Sequence, residues 1–248
     1  QDNITRIKDI TSELEARLGP LEKQSQKARK YLALREERMG LELTLWTNRL
    51  DDIKEILANE LEKAKLTYQE LKEKYPICIT RDLDRAKNWV KRMARGSERY
   101  GLFASSNAAR LKPRGIYYAK DRNSLSPENW FLNGKDDIRS SFFLETVASE
   151  FETQGLELDY AIVAWDADLR IENGRWTHNQ MSNRLSPPNW SRIRSENNMK
   201  YLTNAYRVLL TRARQGFVIY VPEGVEDDAT RKPEFYDYTY NYLREIGI

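Results

Sequence analysis

Cysteine and histidine are almost missing from this chain: Cys78 and His178 stand alone among 248 residues. A single cysteine excludes an internal disulfide, and with a single histidine there is no Cys/His cluster to hold zinc or another metal. One imidazole would also have to serve every role, so no Ser/His/Asp or Cys/His arrangement is forced. No run of eighteen apolar residues occurs, which leaves no candidate membrane span. The start, Gln1-Asp2-Asn3-Ile4, lacks the basic and apolar regions of a secretory signal, and it lacks Met, as a fragment would. None of the 11 glycines begins GxxxxGK[ST], and GxGxxG is absent, so the chain has no phosphate-binding loop to hold ATP by itself. Charged residues make up 32% with a net charge of only +3, the balance of a soluble chain rather than a polyanion binder. A cytoplasmic setting fits these absences best.

What is present divides into two textures. From Ile4 to about Lys74, Glu, Lys, Leu, Arg and Ala dominate, and the only breakers are Gly19-Pro20 and Gly40. Ile4, Thr11, Leu18, Ser25 and Leu32 form one position of a seven-residue seam, with Ile7, Leu14, Leu21 and Ala28 at the other, the pattern of a coiled coil. Leu43, Leu50, Leu57, Ala64 and Leu71 keep the same step, with Trp46 and Ile53 between them. The step of eleven from Leu32 to Leu43 reads as a four-residue stutter near Met39-Gly40, and a helical hairpin turning there is the competing reading. Pro20 should kink the helix. Residues 1–75 carry 15 Lys+Arg and 15 Asp+Glu, so this arm is no electrostatic grip on nucleic acid. Seventy helical residues would reach about 105 Å and cannot cover their own seam, so the arm needs a coiled-coil partner, a second copy of the chain among the candidates, or a fold-back. A solvated spacer or dimeriser is the plain reading of this half. The segment "ITRIKDITSELEARLGPLEKQSQKARKYLALREE" resembles the first coiled-coil arm of the structural maintenance of chromosomes proteins.

At Tyr75-Pro76 the texture changes, which sets the expected domains at 1–75 and 76–248. "YPICIT" and "RDLDRAKNWVKRMARG" read as strand and helix, and "RYGLFASS" as strand into a turn. "SFFLETVASEFETQGLELDYAIVAWD" reads as helix, loop and strand, and "RWTHNQ" after Asn173-Gly174 as a hairpin arm. "NMKYLTNAYRVLLTRARQ" puts Leu202, Tyr206, Leu209 and Ala213 on one helical face, with Arg212 and Arg214 at the helix end. "FVIYVP" suits a buried parallel strand. This alternation predicts a three-layer α/β domain with a mainly parallel sheet. Cys78, beside Ile77 and Ile79, reads as core, and His178 as an ordinary hairpin histidine. Phe235, Tyr236, Tyr238, Tyr240 and Tyr242 read as a C-terminal helix packed on the domain, with base stacking as the alternative.

Two stretches about fifty residues apart carry the chemistry. "FETQGLELD" and "NAYRVLLTRARQG" resemble the last two motifs of superfamily 1 helicases, QGxE and TRA, and with "PEFYDYTYNYLREIGI" they are similar to the Schlafen-group-3-like DNA/RNA helicase family. The resemblance implies a RecA-like domain that closes over ATP held, with Mg²⁺, by a first domain of the same kind. It assigns Arg212 as the arginine finger on the γ-phosphate, Glu157 as the carboxylate for the ribose hydroxyls, and Gln154 and Gly155 as the turn before it. Ser149 matches a nucleic-acid backbone contact, and Ser105, Ser106 and Arg214 are further candidates for contact with DNA or RNA. Where many relatives carry histidine three residues before the motif's glutamine, this chain has Phe151, so that histidine's coupling role does not transfer. Taken alone, Arg212 and Arg214 could merely complement a helix dipole, Glu157 could be a loop carboxylate, and the serines could be turn caps.

The leading expectation is therefore the second motor domain of an ATP-dependent helicase, half of a nucleotide site, carrying a coiled-coil arm. The rival is a non-catalytic coiled-coil adaptor. A third reading, an artificial join at Tyr75-Pro76, rests on the abrupt meeting of the two resemblances.

Overall fold

Strong helix formers with few breakers produce α1, which spans Asp2–Leu71 in the computed structural model. The structure describes residues 2–71, 74–116, 125–182 and 186–248. α1 continues through Pro20 and Gly40, and Thr44 Oγ1 donates to Gly40 O at 2.9 Å, so the hairpin turning at Met39-Gly40 is set aside. Of the seam positions, Thr11 and Leu32 are described and exposed. The side chains of the other seam residues lie outside the described residues. Tyr31, Leu34, Leu41, Leu45 and Ile56 also face solvent along this helix.

The chain divides into two compact units, Gln1–Leu61 and Glu62–Ile248, a division that falls within α1 ahead of Tyr75-Pro76. The second unit holds β1 (Ile77–Thr80), α2 (Leu83–Met93), β2 (Tyr100–Ala104), α3 (Pro127–Leu132), β3 (Val147–Ala148) and β4 (Leu158–Ala164). It continues with β5 (Leu169–Glu172), β6 (Arg175–Ser182), β7 (Asn189–Arg192), α4 (Glu196–Leu210), β8 (Ala213–Tyr220) and α5 (Glu234–Glu245). Five strands pair in the order β1-β8-β4-β2-β3, every pair parallel. β5, β6 and β7 form a separate antiparallel meander.

Alternation along the central strands explains the layers. Ala161, Val163, Phe217 and Ile219 face a core shared with Leu202, Tyr206 and Leu209 of α4 and Tyr236 and Leu243 of α5. Tyr160, Ile162, Val218 and Tyr220 face the other core, with Ala86 and Val90 of α2. The sheet is thus buried on both faces, as a parallel sheet requires. Cys78 packs against the second core, as its apolar neighbours suggest.

Local chemistry sets the element ends. Asp82 caps α2 by accepting from Asp84 N and Arg85 N at 2.9 and 3.1 Å. Asn173 and Gly174, with φ of 51° and 72°, make the two-residue turn that joins β5 to β6. The boundary residues are built into the sheet: Tyr75 Oη donates to Ala213 O at 2.7 Å, and Phe217 N donates to Pro76 O at 3.1 Å.

Two expectations are corrected. The segment from Ser141 onward holds no α-helix: a 3₁₀ turn at Ser141–Phe143 ends at Leu144 in the left-handed region, and β3 follows, pairing with Leu102 and Phe103. Cross-strand pairing in a buried position outweighs the helical appearance of that stretch. Ala213 is not on the face of α4 but opens β8, because α4 ends at Leu210. Arg212 consequently sits in the connecting turn and Arg214 on the strand, not together on a helix.

Gly101 shows how tightly the first core is filled. A Cβ there would lie 2.7 Å from the Trp130 ring and 2.8 Å from Leu158 Cδ1. Trp130 is itself buried and cannot retreat. Gly101→Ala is expected to cost about 1–3 kcal/mol of stability, read as a lower urea midpoint with unchanged slope; an unaltered midpoint would show the core to be looser than this.

Candidate functional site

The amino-terminal edge of the sheet is where the two suspect stretches meet. β4 begins directly after Glu157 and β8 directly after Arg212, and these strands are neighbours, with Leu158 opposite Ala213. Leu158 N donates to Arg212 O at 2.8 Å. Two sequence segments far apart in the chain are thereby hydrogen-bonded where their strands begin, from the first residue of β4 to the residue just before β8. Gly155, at φ 77°, makes the turn ahead of Glu157, a conformation that a residue with a Cβ adopts only under strain, and the space around it is open.

Arg212 is held by its backbone. Thr211 Oγ1 donates to the carbonyls of Arg207 and Val208 at 2.9 and 3.1 Å, closing the end of α4. Arg212 is half-buried, and its Nε is buried without a hydrogen-bond partner among the described residues. An unpartnered guanidinium donor inside a protein is costly unless a ligand completes it. Arg214 is exposed and its Nε donates to Glu157 Oε2 at 3.0 Å. Arg207 is exposed on the last turn of α4. Gln154 lines a cleft of about 130 Å³ with Phe151, Tyr201, Asn204 and Val208.

The carboxyl edge of the sheet carries the serines, and there the hydroxyls are already engaged. Ser106 Oγ donates to Glu150 Oε1 at 2.6 Å, and Ser149 Oγ to Glu152 Oε2 at 2.5 Å. Ser105 is buried, accepts from Asn107 N at 3.1 Å and lies against Asp168. A phosphate can only accept, so a hydroxyl whose proton points at a carboxylate has none to offer it.

Beyond β4, Asp166 and Asp168 are fully buried. Asp166 accepts from Tyr236 Oη at 3.0 Å, Ala167 N at 2.8 Å and Arg110 N at 2.8 Å. Asp168 accepts from Tyr206 Oη at 2.5 Å and Leu169 N at 3.0 Å. Burial raises the pKa of both, and with the added charge of Asp166 that of Asp168 is pushed up to about 7. Through Tyr206 and Tyr236 this pair ties α4 and α5 to the end of β4. His178, its pKa lowered by burial, shares a 2.8 Å hydrogen bond with Thr203 of α4. Among the described residues no group of three or more His, Cys, Asp or Glu side chains is placed to hold a metal, and no helix is long and apolar enough to cross a membrane.

A family model of the Schlafen group 3 DNA/RNA helicase domain matches residues 13–223. The chain belongs to this family. Its parallel α/β unit is accordingly a RecA-like domain of a helicase family, and the matched span includes most of α1 and crosses Tyr75-Pro76. The abrupt meeting of two resemblances there is thus covered by one helicase-family match. A further likeness is to the chromosome partition protein Smc of Halothermothrix orenii, 40% identical over 70 residues, 28% of this chain and 6% of that protein. This chain therefore spans only a small part of that relative. No solved structure matches.

Sequence reasoning named Arg212 and Glu157 as candidates, and the structure sets them at neighbouring strand ends; that reasoning did not anticipate the Arg214–Glu157 pair, the Thr211 cap or the buried Asp166–Asp168 pair. The first was legible in part: parallel strands that start directly after QGLE and at the Ala of TRA bring the two motifs together at neighbouring strand ends.

Proposed function

We propose that this chain is the second motor domain of a nucleic-acid-dependent ATPase and supplies half of its nucleotide site. The observation that carries the reading is the hydrogen bond between Leu158 N and Arg212 O, which sets Glu157 and Arg212 side by side at one edge of the sheet. Charge develops on the γ-phosphate oxygens during phosphoryl transfer, and a guanidinium brought to them stabilises it. Arg212 takes that role, its backbone carbonyl held by Leu158 N of β4 and its Nε without a partner among the described residues. Glu157 accepts from the ribose hydroxyls, and Gln154 with Gly155 shapes the turn beneath them. A first RecA-like domain bearing the phosphate loop supplies the triphosphate and Mg²⁺ ligands. DNA or RNA is the driving substrate, and Ser105, Ser106 and Ser149 act chiefly as turn supports, their hydroxyls being committed internally. α1 serves as the arm that pairs with a coiled-coil partner.

The purified chain is expected to bind ATP weakly and to hydrolyse none. ATP turnover that disappears in Arg212→Ala would show that the site is complete within this chain and would sink the half-site reading.

A further inference from the structure

We infer that Arg214 is a positioning residue for Glu157 and thereby sets recognition of the nucleotide's ribose, an inference that rests on the nucleotide-site reading above. The strand pairing singles it out. Between Leu158–Ala213 and Tyr160–Gly216 the register shifts, so that β8 carries Arg214 and Gln215 opposite the single residue Asp159. A bulge of this kind re-aims side chains at the end of a strand. Gln215 is tied down on one side: its Nε2 donates to Glu98 Oε1 at 3.0 Å and Asp159 Oδ1 at 3.3 Å, and it accepts from Tyr160 Oη at 3.2 Å. Arg214 is left facing Glu157.

The contact engages one carboxylate oxygen. Arg214 Nε donates to Oε2, while Oε1 has no hydrogen bond among the described residues. A carboxylate offers about four acceptor positions, so a guanidinium on one oxygen fixes its plane and leaves the other for two vicinal hydroxyls. The Arg214 and Glu157 side chains are exposed at 64% and 46%, which leaves Glu157 open to a ligand. The pair is also too exposed to contribute much to folding. The two arginines of TRAR therefore divide the nucleotide: Arg212 reads the triphosphate end and Arg214, acting through Glu157, reads the sugar.

The test is binding of ATP and of 2′,3′-dideoxy-ATP to the purified full chain, by titration at millimolar nucleotide. Wild type is expected to prefer ATP by roughly tenfold, the value of a hydrogen bond to a charged acceptor. Glu157→Gln should lose most of that preference. Arg214→Ala should cut it by roughly two- to fivefold, Arg214→Lys should restore part of it, and Arg214→Ala should have no further effect in the Glu157→Gln background. Wild type with no preference, or with no binding, overturns the ribose reading of Glu157 and this inference with it. A wild-type preference that survives Arg214→Ala overturns the positioning role alone, as does an Arg214→Ala that weakens only binding of a single-stranded oligonucleotide.

Discussion

Arg212→Ala is expected to lower ATP turnover by about 10³- to 10⁵-fold when the chain is completed by a first RecA-like domain, the range associated with loss of an arginine finger. The guanidinium acts on charge that is greatest in the transition state, so the loss should fall on kcat and much less on KM. Arg212→Lys should recover little, because an ammonium cannot match the planar fork of donors. The backbone contact that places Arg212 survives these changes, since Arg212 O and Leu158 N do not depend on the side chain. Unfolding midpoints should accordingly move little, which separates a catalytic loss from a folding one. A tenfold or smaller effect on kcat would assign the charge stabilisation elsewhere.

The second large effect is on stability against pH. Asp168 has a pKa near 7 in the folded chain, through burial and the charge of Asp166, above its value when unfolded. Between about pH 4 and 7 the native state holds a proton that the unfolded chain has released, so stability falls as pH rises through that window and is level above it. The group's contribution is fully present on the acid side. Asp228 works in the other sense: burial pushes its pKa up, but hydrogen bonds from Thr230, Arg231 and Arg110 bring it well below the usual carboxylate range. Its contribution is present above about pH 4 and lost as pH falls through its folded value. Comparing wild type with Asp168→Asn cancels that acid limb. The variant should gain on the order of a few kcal/mol relative to wild type between about pH 5 and pH 8, measured as urea midpoints. Parallel pH profiles for the two proteins would mean that Asp168 is neutral in neither state.

Much of the fold was legible because burial on both sheet faces leaves continuous apolar runs. "YGLFA", "YAIVA" and "FVIY" declare themselves as strands, and Leu202, Tyr206 and Leu209 declare the inner face of α4. The misread stretch, Ser141 to Ala148, carries no such run: its strand is two residues long and exists through pairing with β2. At the site, the two motifs pointed to Glu157 and Arg212 as a pair of segments, while their adjacency had to come from strand order. The placement of Arg214 was misread for a definite reason. Helical spacing was carried past Leu210, and only Thr211, which folds its hydroxyl back onto the last carbonyls, marks the end. The buried Asp166 and Asp168 gave no sequence signal of their depth, since "WDAD" reads like any acidic turn.

The half-site account meets its most direct test when a phosphate-loop-bearing first domain from the same family is mixed with this chain and ATP hydrolysis is followed with and without single-stranded DNA or RNA. The account predicts turnover that neither part shows alone, that rises on adding nucleic acid and that is lost with Arg212→Ala. Turnover that stays absent in the mixture, with both parts folded, would contradict it and leave the chain as a coiled-coil adaptor.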